Sequence, residues 1–161
     1  MRGRTRNVLL LPVAAALLCA MPATAARAPI VIHFTVITKM EKKGSAGCPE
    51  GVVGVQGASK KGRAASAELC LLRTNKIRKK TKAIISRATI QLAGVEGKLQ
   101  ALVRIVEITK GSVAHRTITG VIYPGTGEFE KSGGRVFGKG TIEFPKKGKP
   151  KVDLTFTFGF D

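Results

Sequence analysis

The sequence contains few of the residues on which enzyme active sites usually depend. Among its 161 residues there are two histidines, three cysteines and one tyrosine, and tryptophan is absent. His33 and His115 have no acidic residue near them in sequence, and neither belongs to the ligand spacing of a zinc site. No serine stands in the Gly-x-Ser-x-Gly pattern of α/β hydrolases. We therefore expect no catalytic set, no metal and no cofactor, and an enzyme is the less favoured class.

Aromatic residues are also scarce, and this limits the choice of partner. Single-stranded nucleic acid is held by stacking its bases on aromatic side chains. The chain has seven phenylalanines, and four of them fall in the apolar rows of its last strands, at positions 144, 156, 158 and 160. Nucleic acid is therefore the least favoured of the anionic partners.

The first 25 residues have the three parts of a secretory signal peptide. An apolar run at 8–20 lies between three early arginines and the small residues Ala23 and Ala25, and the arginines are Arg2, Arg4 and Arg6. The run is shorter than the roughly 20 residues of a membrane span and contains Pro12. We predict cleavage after Ala25, so that 26–161 forms one domain, which is secreted or resides in the periplasm or cell envelope.

Cleavage would change both the cysteine count and the charge. It removes Cys19 and leaves Cys48 and Cys70, an even number in a chain that enters an oxidising compartment. A disulfide between them is the favoured interpretation, and two separate buried thiols are the alternative. Loss of three arginines lowers the net charge from +18 to +15.

The mature chain predicts an all-β domain. Apolar residues alternate with period two, and glycine-containing turns separate the alternating segments. About eight strands with one apolar face favour a single antiparallel β-barrel, because closure removes unpaired edges, and a β-sandwich is the alternative. The predicted strands are 30–39, 52–56, 68–73, 83–92, 99–109, 116–123, 135–144 and 151–160.

The pattern also predicts which residues share a face. In the first strand one face carries Ile30, Ile32, Phe34 and Val36. In the last hairpin, one register places Gly138 opposite Phe156 and Glu143 opposite Lys151. This register puts a ring over a residue without a Cβ and pairs opposite charges, so it is preferred.

One segment of this hairpin resembles a known family. The motif Gly125-Thr126-Gly127-x-Phe129, followed by Gly134-x-Val136-x-Gly138, is similar to the late hairpin of the allene oxide cyclase and dirigent β-barrel superfamily. Pro124 departs from that pattern, because the family often has glycine there. In this motif Phe129 would fold under the turn as a plug.

The resemblance implies an eight-stranded antiparallel barrel with a central cavity. Members with known roles cyclise an unsaturated fatty-acid epoxide or direct the coupling of phenoxy radicals, often as trimers. The polar cavity residues behind those activities have no position-by-position match in this sequence. The resemblance therefore carries the fold and leaves a homo-oligomer open, whereas the catalysis is not carried over.

Positive charge is the strongest compositional signal. The chain has 28 lysines and arginines against 10 acidic residues, and the segment 39–87 is especially basic. Its densest part is predicted to be a solvated loop or strand edge, with the cations Lys76, Arg78, Lys79, Lys80 and Lys82. Such a surface attracts polyanions without reading a sequence, although it can also serve only to keep a protein soluble.

Three functions remain open from the sequence. The first is an exported binding or structural module that holds a small apolar ligand in the barrel. The second is electrostatic adhesion to an extracellular polyanion or to the cell envelope through 39–87. The third is an isomerase or cyclase of the allene oxide cyclase type.

Overall fold

The computed structural model describes residues 27–42, 44 and 47–161. The predicted signal peptide, 1–25, lies outside these residues. The described chain forms eight β-strands and one short 3-10 helix between the sixth and seventh strands: β1 (Ile30–Glu41), β2 (Val52–Ser59), β3 (Ala64–Arg78), β4 (Thr81–Leu92), β5 (Leu99–Lys110), β6 (Val113–Tyr123), η1 (Gly127–Phe129), β7 (Gly134–Glu143) and β8 (Lys151–Phe160).

The eight strands close into a single antiparallel barrel. Each strand pairs with its neighbour in sequence, and β8 pairs with β1 from Ile30 opposite Phe158 to Phe34 opposite Leu154. Closure satisfies the backbone groups that an open sheet would leave at its two edges. The predicted all-β barrel is confirmed, and the sandwich alternative is wrong.

Alternation along each strand separates a packed interior from a polar exterior. Inward side chains form one apolar cluster that includes Phe34, Phe156 and Phe158. The rings of Phe34 and Phe156 meet edge to face, with centroids 5.4 Å apart. Burying one such side chain stabilises a fold by roughly 1.5–3 kcal/mol, so this cluster is the main source of stability.

The predicted register of the last hairpin is confirmed. Gly138 lies opposite Phe156, and Glu143 lies opposite Lys151. A Cβ on Gly138 would lie 2.7 Å from the Thr155 carbonyl oxygen and 3.1 Å from Cδ1 of Ile118. Glycine is therefore required at this position because the neighbouring strands leave no space for a side chain.

The first strand departs from simple alternation. Register shifts against β2 occur between Phe34 and Val36 and again between Ile37 and Lys39. These bulges turn Val36 outward, where it is 51% exposed, so its predicted place beside Phe34 is wrong. Phe144, predicted as the last residue of its strand, follows β7 and is also exposed.

Of the two predictions for the basic segment 76–82, a solvated loop or a strand edge, the structure favours the strand. β3 continues to Arg78 and β4 begins at Thr81, so most of these residues extend a hairpin. The residues from Lys76 to Lys80 are exposed, as expected of solvated charges. Cross-strand pairing between Lys76 and Lys82 and between Arg78 and Thr81 explains why the polar segment remains extended.

A disulfide joins Cys48 to Cys70 on β3, with their Cα atoms 5.1 Å apart. It fastens the connection between β1 and β2 to the barrel wall. The Arg87 guanidinium donates a hydrogen bond to the Gly47 carbonyl, 2.5 Å away, on the same connection. A disulfide is consistent with an extracellular or periplasmic protein.

Replacing Gly138 by alanine should destabilise the barrel by about 1–3 kcal/mol, the usual cost of adding a methyl group to a filled core. Urea unfolding followed by circular dichroism measures this loss. Gly159→Ala is the matched control, because Gly159 is also in a strand and the nearest atom to its Cβ would be 3.9 Å away. Equal stability of Gly138→Ala and the unmodified protein would contradict the packing described here.

Replacing both Cys48 and Cys70 by alanine should cost about 3 kcal/mol, because the bridge closes a loop of 22 residues in the unfolded chain. The measurement is urea unfolding, with and without reductant for the unmodified protein. Only the unmodified protein should lose stability when reductant is added. Alkylation of two thiols before any reduction, detected by intact mass, would show that the bridge is absent.

Candidate functional site

One end of the barrel is closed by the turn that carries the glycine motif. Phe129 lies beneath this turn and is fully buried, and its ring stacks on Phe160 with centroids 6.4 Å apart. The Arg27 guanidinium lies 4.3 Å from the centre of the Phe129 ring and forms an ion pair of 3.3 Å with Glu128. We call this the plugged end.

The motif glycines have structural reasons to be there. Gly127 has φ of +55° and Gly134 has φ of +137°, in the region that side chains rarely adopt. A Cβ on Gly125 would collide with the Lys98 carbonyl oxygen. Thr126 accepts a hydrogen bond of 2.9 Å at its hydroxyl from the Lys98 N–H. These residues shape the plug, and none of these contacts forms a reactive site.

Positive charge gathers at the opposite end of the barrel. Besides the connection between β1 and β2, three connections that are far apart in sequence lie at this end. They are the β3–β4 turn with its flanking residues, 76–82, the β5–β6 turn, 110–112, and the β7–β8 connection, 144–151. Together they contain ten lysines and arginines and no acidic residue. We call this surface the basic end.

Backbone hydrogen bonds join these three connections. The Thr109 N–H donates to the Lys80 carbonyl at 2.9 Å, and the Phe144 N–H donates to the Ser112 carbonyl at 2.8 Å. These bonds link the ends of neighbouring hairpins, whereas Lys146, Lys147 and Lys149 lie in the non-strand connection 144–150. The sequence drew attention to 39–87 alone, because only the pairing of β4 with β5 and of β6 with β7 brings Lys110 and 146–151 to the same end.

The five cations singled out in the sequence do not share one environment. Lys76, Arg78, Lys79 and Lys80 are exposed. Lys82 is only half-exposed, and its Nζ lies 3.0 Å from Oε1 of Glu107. The first four can meet a large anion directly, whereas Lys82 already has an anionic partner.

A charged cluster that the sequence reading missed lies just inside the basic end. Glu107 is 4% exposed, and its Oε2 lies 2.6 Å from Nη2 and 2.7 Å from Nε of Arg116. Lys82, Glu107 and Arg116 face one another across β4, β5 and β6. The sequence contained one signal for this cluster. The alternation of apolar residues places all three charged residues at inward positions of adjacent strands.

This cluster is poorly suited to proton transfer. Burial raises the pKa of Glu107, but the charges and hydrogen bonds of Arg116 and Lys82 outweigh burial, and the pKa falls below its usual value. A carboxylate held in this way is a weak base and stays ionised at neutral pH. The other buried polar side chain in the described part of the chain, Ser86, is also engaged, because its hydroxyl donates a hydrogen bond of 2.9 Å to the Cys70 carbonyl.

The histidine His33 has a partner that is distant in sequence. Its Nε2 lies 2.7 Å from Oδ1 of Asp153, on the outer faces of β1 and β8. Both side chains are largely exposed, and they lie outside the lumen beside an open groove of about 700 Å³ that His33 lines. Within the described parts of the chain, no three His, Cys, Asp or Glu residues come together as a metal site.

The lumen itself is filled. Inward side chains such as Ile90, Leu99 and Phe158 are at most 1% exposed, so a water-sized opening does not reach them. A smaller depression, of about 280 Å³, lies at the plugged end beside Leu92 and Val95. Both of these concave surfaces therefore lie outside the packed interior.

Comparison with known proteins identifies no relative of this chain. No family model matches it, and no curated protein and no solved structure matches it either. Over the residues with a described structure, no helix has the length and apolar character needed to cross a membrane.

Replacing Glu107 by glutamine should cost about 3 kcal/mol at pH 7, because two cations would lose a buried anionic partner. The pKa of Glu107 is lowered by folding, so its contribution is present above the unfolded value near 4.5 and is lost as the pH falls through the folded value. Acidification to pH 3 should therefore narrow the gap between the variant and the unmodified protein.

Urea unfolding at pH 7 and at pH 3 measures that gap. Glu96→Gln, at an exposed position, is the control and should change stability little at either pH. A Glu107→Gln variant as stable as the unmodified protein at pH 7 would show that the cluster does not stabilise the barrel.

Proposed function

We propose that this protein is an exported, non-enzymatic adhesion module that binds an anionic polymer through the basic end. The observation that carries the proposal is the grouping of ten cations from three distant connections that contain no acidic residue. Of these, Lys82 is paired with Glu107 and Lys151 lies opposite Glu143. A cluster of one sign raises the local concentration of oppositely charged partners and speeds their encounter.

The packing of the interior supports a surface role. Phe34, Phe156 and Phe158 occupy the space in which a small apolar ligand would lie. Binding inside the lumen would require these rings to move, at the cost of the main apolar cluster. Binding outside it requires no rearrangement of the core.

The rigidity of the scaffold supports the same function. The Lys80 carbonyl, in the β3–β4 turn, accepts a hydrogen bond from Thr109 on β5. The Cys48–Cys70 bridge fastens the connection between β1 and β2 at the same end. Cations held on a closed barrel lose less conformational freedom on binding than cations on flexible loops do. A rigid array can therefore hold a polymer by several weak contacts at once.

Export is part of the proposal. The three-part pattern of 1–25 and the disulfide both favour an extracellular or periplasmic setting. There the anionic polymers are acidic polysaccharides and phosphate-containing cell-wall polymers, and nucleic acid is the less favoured partner.

The motif at 125–138 supports a finer grouping, with the allene oxide cyclase and dirigent barrels. The buried Phe129 and the left-handed Gly127 agree with the plugged turn that this grouping implies. Cyclase activity has less support, because the inward carboxylate of Glu107 is neutralised by Arg116 and Lys82.

The test uses the mature protein, 26–161, on columns of polyphosphate and of a carboxylated polysaccharide. A variant with glutamine at Lys79, Lys80, Lys146 and Lys147 should elute at clearly lower salt and bind about ten-fold or more weakly at 0.1 M salt. The reason is that each protein cation that binds the polymer releases counterions from it, and the variant releases fewer. All four side chains are exposed, so the fold should be unaffected.

The matched control removes the same charge from the plugged end, by glutamine at Lys60, Lys61, Arg63 and Lys131, which are also exposed. This variant should keep most of the retention. Equal loss in both variants would mean that net charge alone governs binding, and the basic end would then have no special role.

A further inference from the structure

One strand of the barrel extends beyond its neighbour. Pairing between β2 and β3 stops at Val52 opposite Cys70, whereas β3 continues to Arg78. Among the residues that the structure describes, 73–78 pairs with β4 on one side and with no strand on the other. We call this side of 73–78 the free edge.

The backbone of the free edge is turned toward solvent at alternate residues. The Leu71 N–H and carbonyl bond to the backbone of Gly51 and Glu50, on the side away from β4. One extra residue is inserted between Leu71 and Arg73, so Thr74 is the next residue to face that side, and Lys76 follows it.

The residue next to the free edge is Glu50, in the connection between β1 and β2. Hydrogen bonding to the Thr74 hydroxyl and backbone lowers the pKa of Glu50, so the Thr74 N–H already faces an acidic group of the same chain. Beyond Thr74, the next donor on the same side is the N–H of Lys76.

The side chains along the free edge favour a partner strand of negative charge. All six residues of 73–78 are exposed, and three of them are the cations Arg73, Lys76 and Arg78. Two copies of this edge would repel each other, which is how many proteins prevent edge-to-edge pairing. An acidic strand would instead bring opposite charges to the same backbone donors and acceptors.

We propose that the free edge takes an extended acidic peptide of a partner protein as an added strand. Six residues of strand span about 20 Å. The Thr74 carbonyl and the N–H and carbonyl of Lys76 are the main-chain groups left for an added strand, because Glu50 already faces the Thr74 N–H. The cations of 73–78 offer ion pairs along the same length. Polysaccharides lack the regular peptide backbone that this pairing needs, so the partner differs from the polymer bound by the basic end.

The test uses a fluorescent ten-residue peptide of alternating glutamate and valine, followed by anisotropy with the mature protein. The variants are Lys76→Pro, which removes the charge and the N–H, and Lys76→Gln, which removes the charge alone. Lys76→Pro should bind the peptide about five- to ten-fold more weakly than Lys76→Gln, the effect of one lost hydrogen bond. The two variants should bind polyphosphate equally.

A second arm keeps the experiment independent of how Lys76→Pro folds. The same peptide, N-methylated at alternate residues, keeps its charge but loses the N–H groups of one edge. Two such peptides are made, one methylated on the residues whose N–H groups point toward β3 and one methylated on the residues between them. The first should bind the unmodified protein at least five-fold more weakly than the unmethylated peptide does. The two methylated peptides should therefore differ in affinity.

Three results would overturn the proposal. They are equal peptide binding by Lys76→Pro and Lys76→Gln, equal binding of both methylated peptides, and self-association of the protein that is lost in Lys76→Pro. The peptide test does not depend on polymer binding, because the two methylated peptides carry the same charge. If the protein fails to bind the polymers, a difference between the two peptides would still support strand addition.

Discussion

Pairing of the first strand with the last is the constraint on which the rest of the structure depends. The ladder between Ile30 and Phe34 on β1 and the residues from Leu154 to Phe158 on β8 converts a sheet into a barrel. It defines an inside that apolar side chains fill and an outside that carries the charge. It also defines two ends, of which one is plugged by Phe129 and the other collects cations.

Much of this architecture could be predicted from the sequence, because local patterns decide it. Alternation identified the strands, and the absence of a Cβ at Gly138 indicated its place opposite the ring of Phe156. The bulges in β1 could not be predicted, because the residues around Val36 alternate as in a regular strand. The extension of β3 was missed because a run of lysines is typical of a loop, and only pairing with β4 keeps it extended.

The candidate site was harder to predict, because it depends on contacts between distant segments. Alternation places Lys82, Glu107 and Arg116 at inward positions, but only the register of three strands shows that they meet. Likewise, only the pairing of β1 with β8 brings His33 to Asp153. Composition indicated a basic surface, but it could not show that charges from both halves of the chain converge. Antiparallel pairing of neighbouring strands collects these charges at one end of the barrel.

The ladder between β1 and β8 also has a consequence for how the chain folds. The two strands are separated by almost the whole domain in sequence, so their pairing closes a very long loop. Folds dominated by such distant contacts form slowly. The barrel cannot close before β8 has been synthesised. The strand that completes the core is therefore also the one made last, so the seven preceding strands have no closed interior until it pairs with β1.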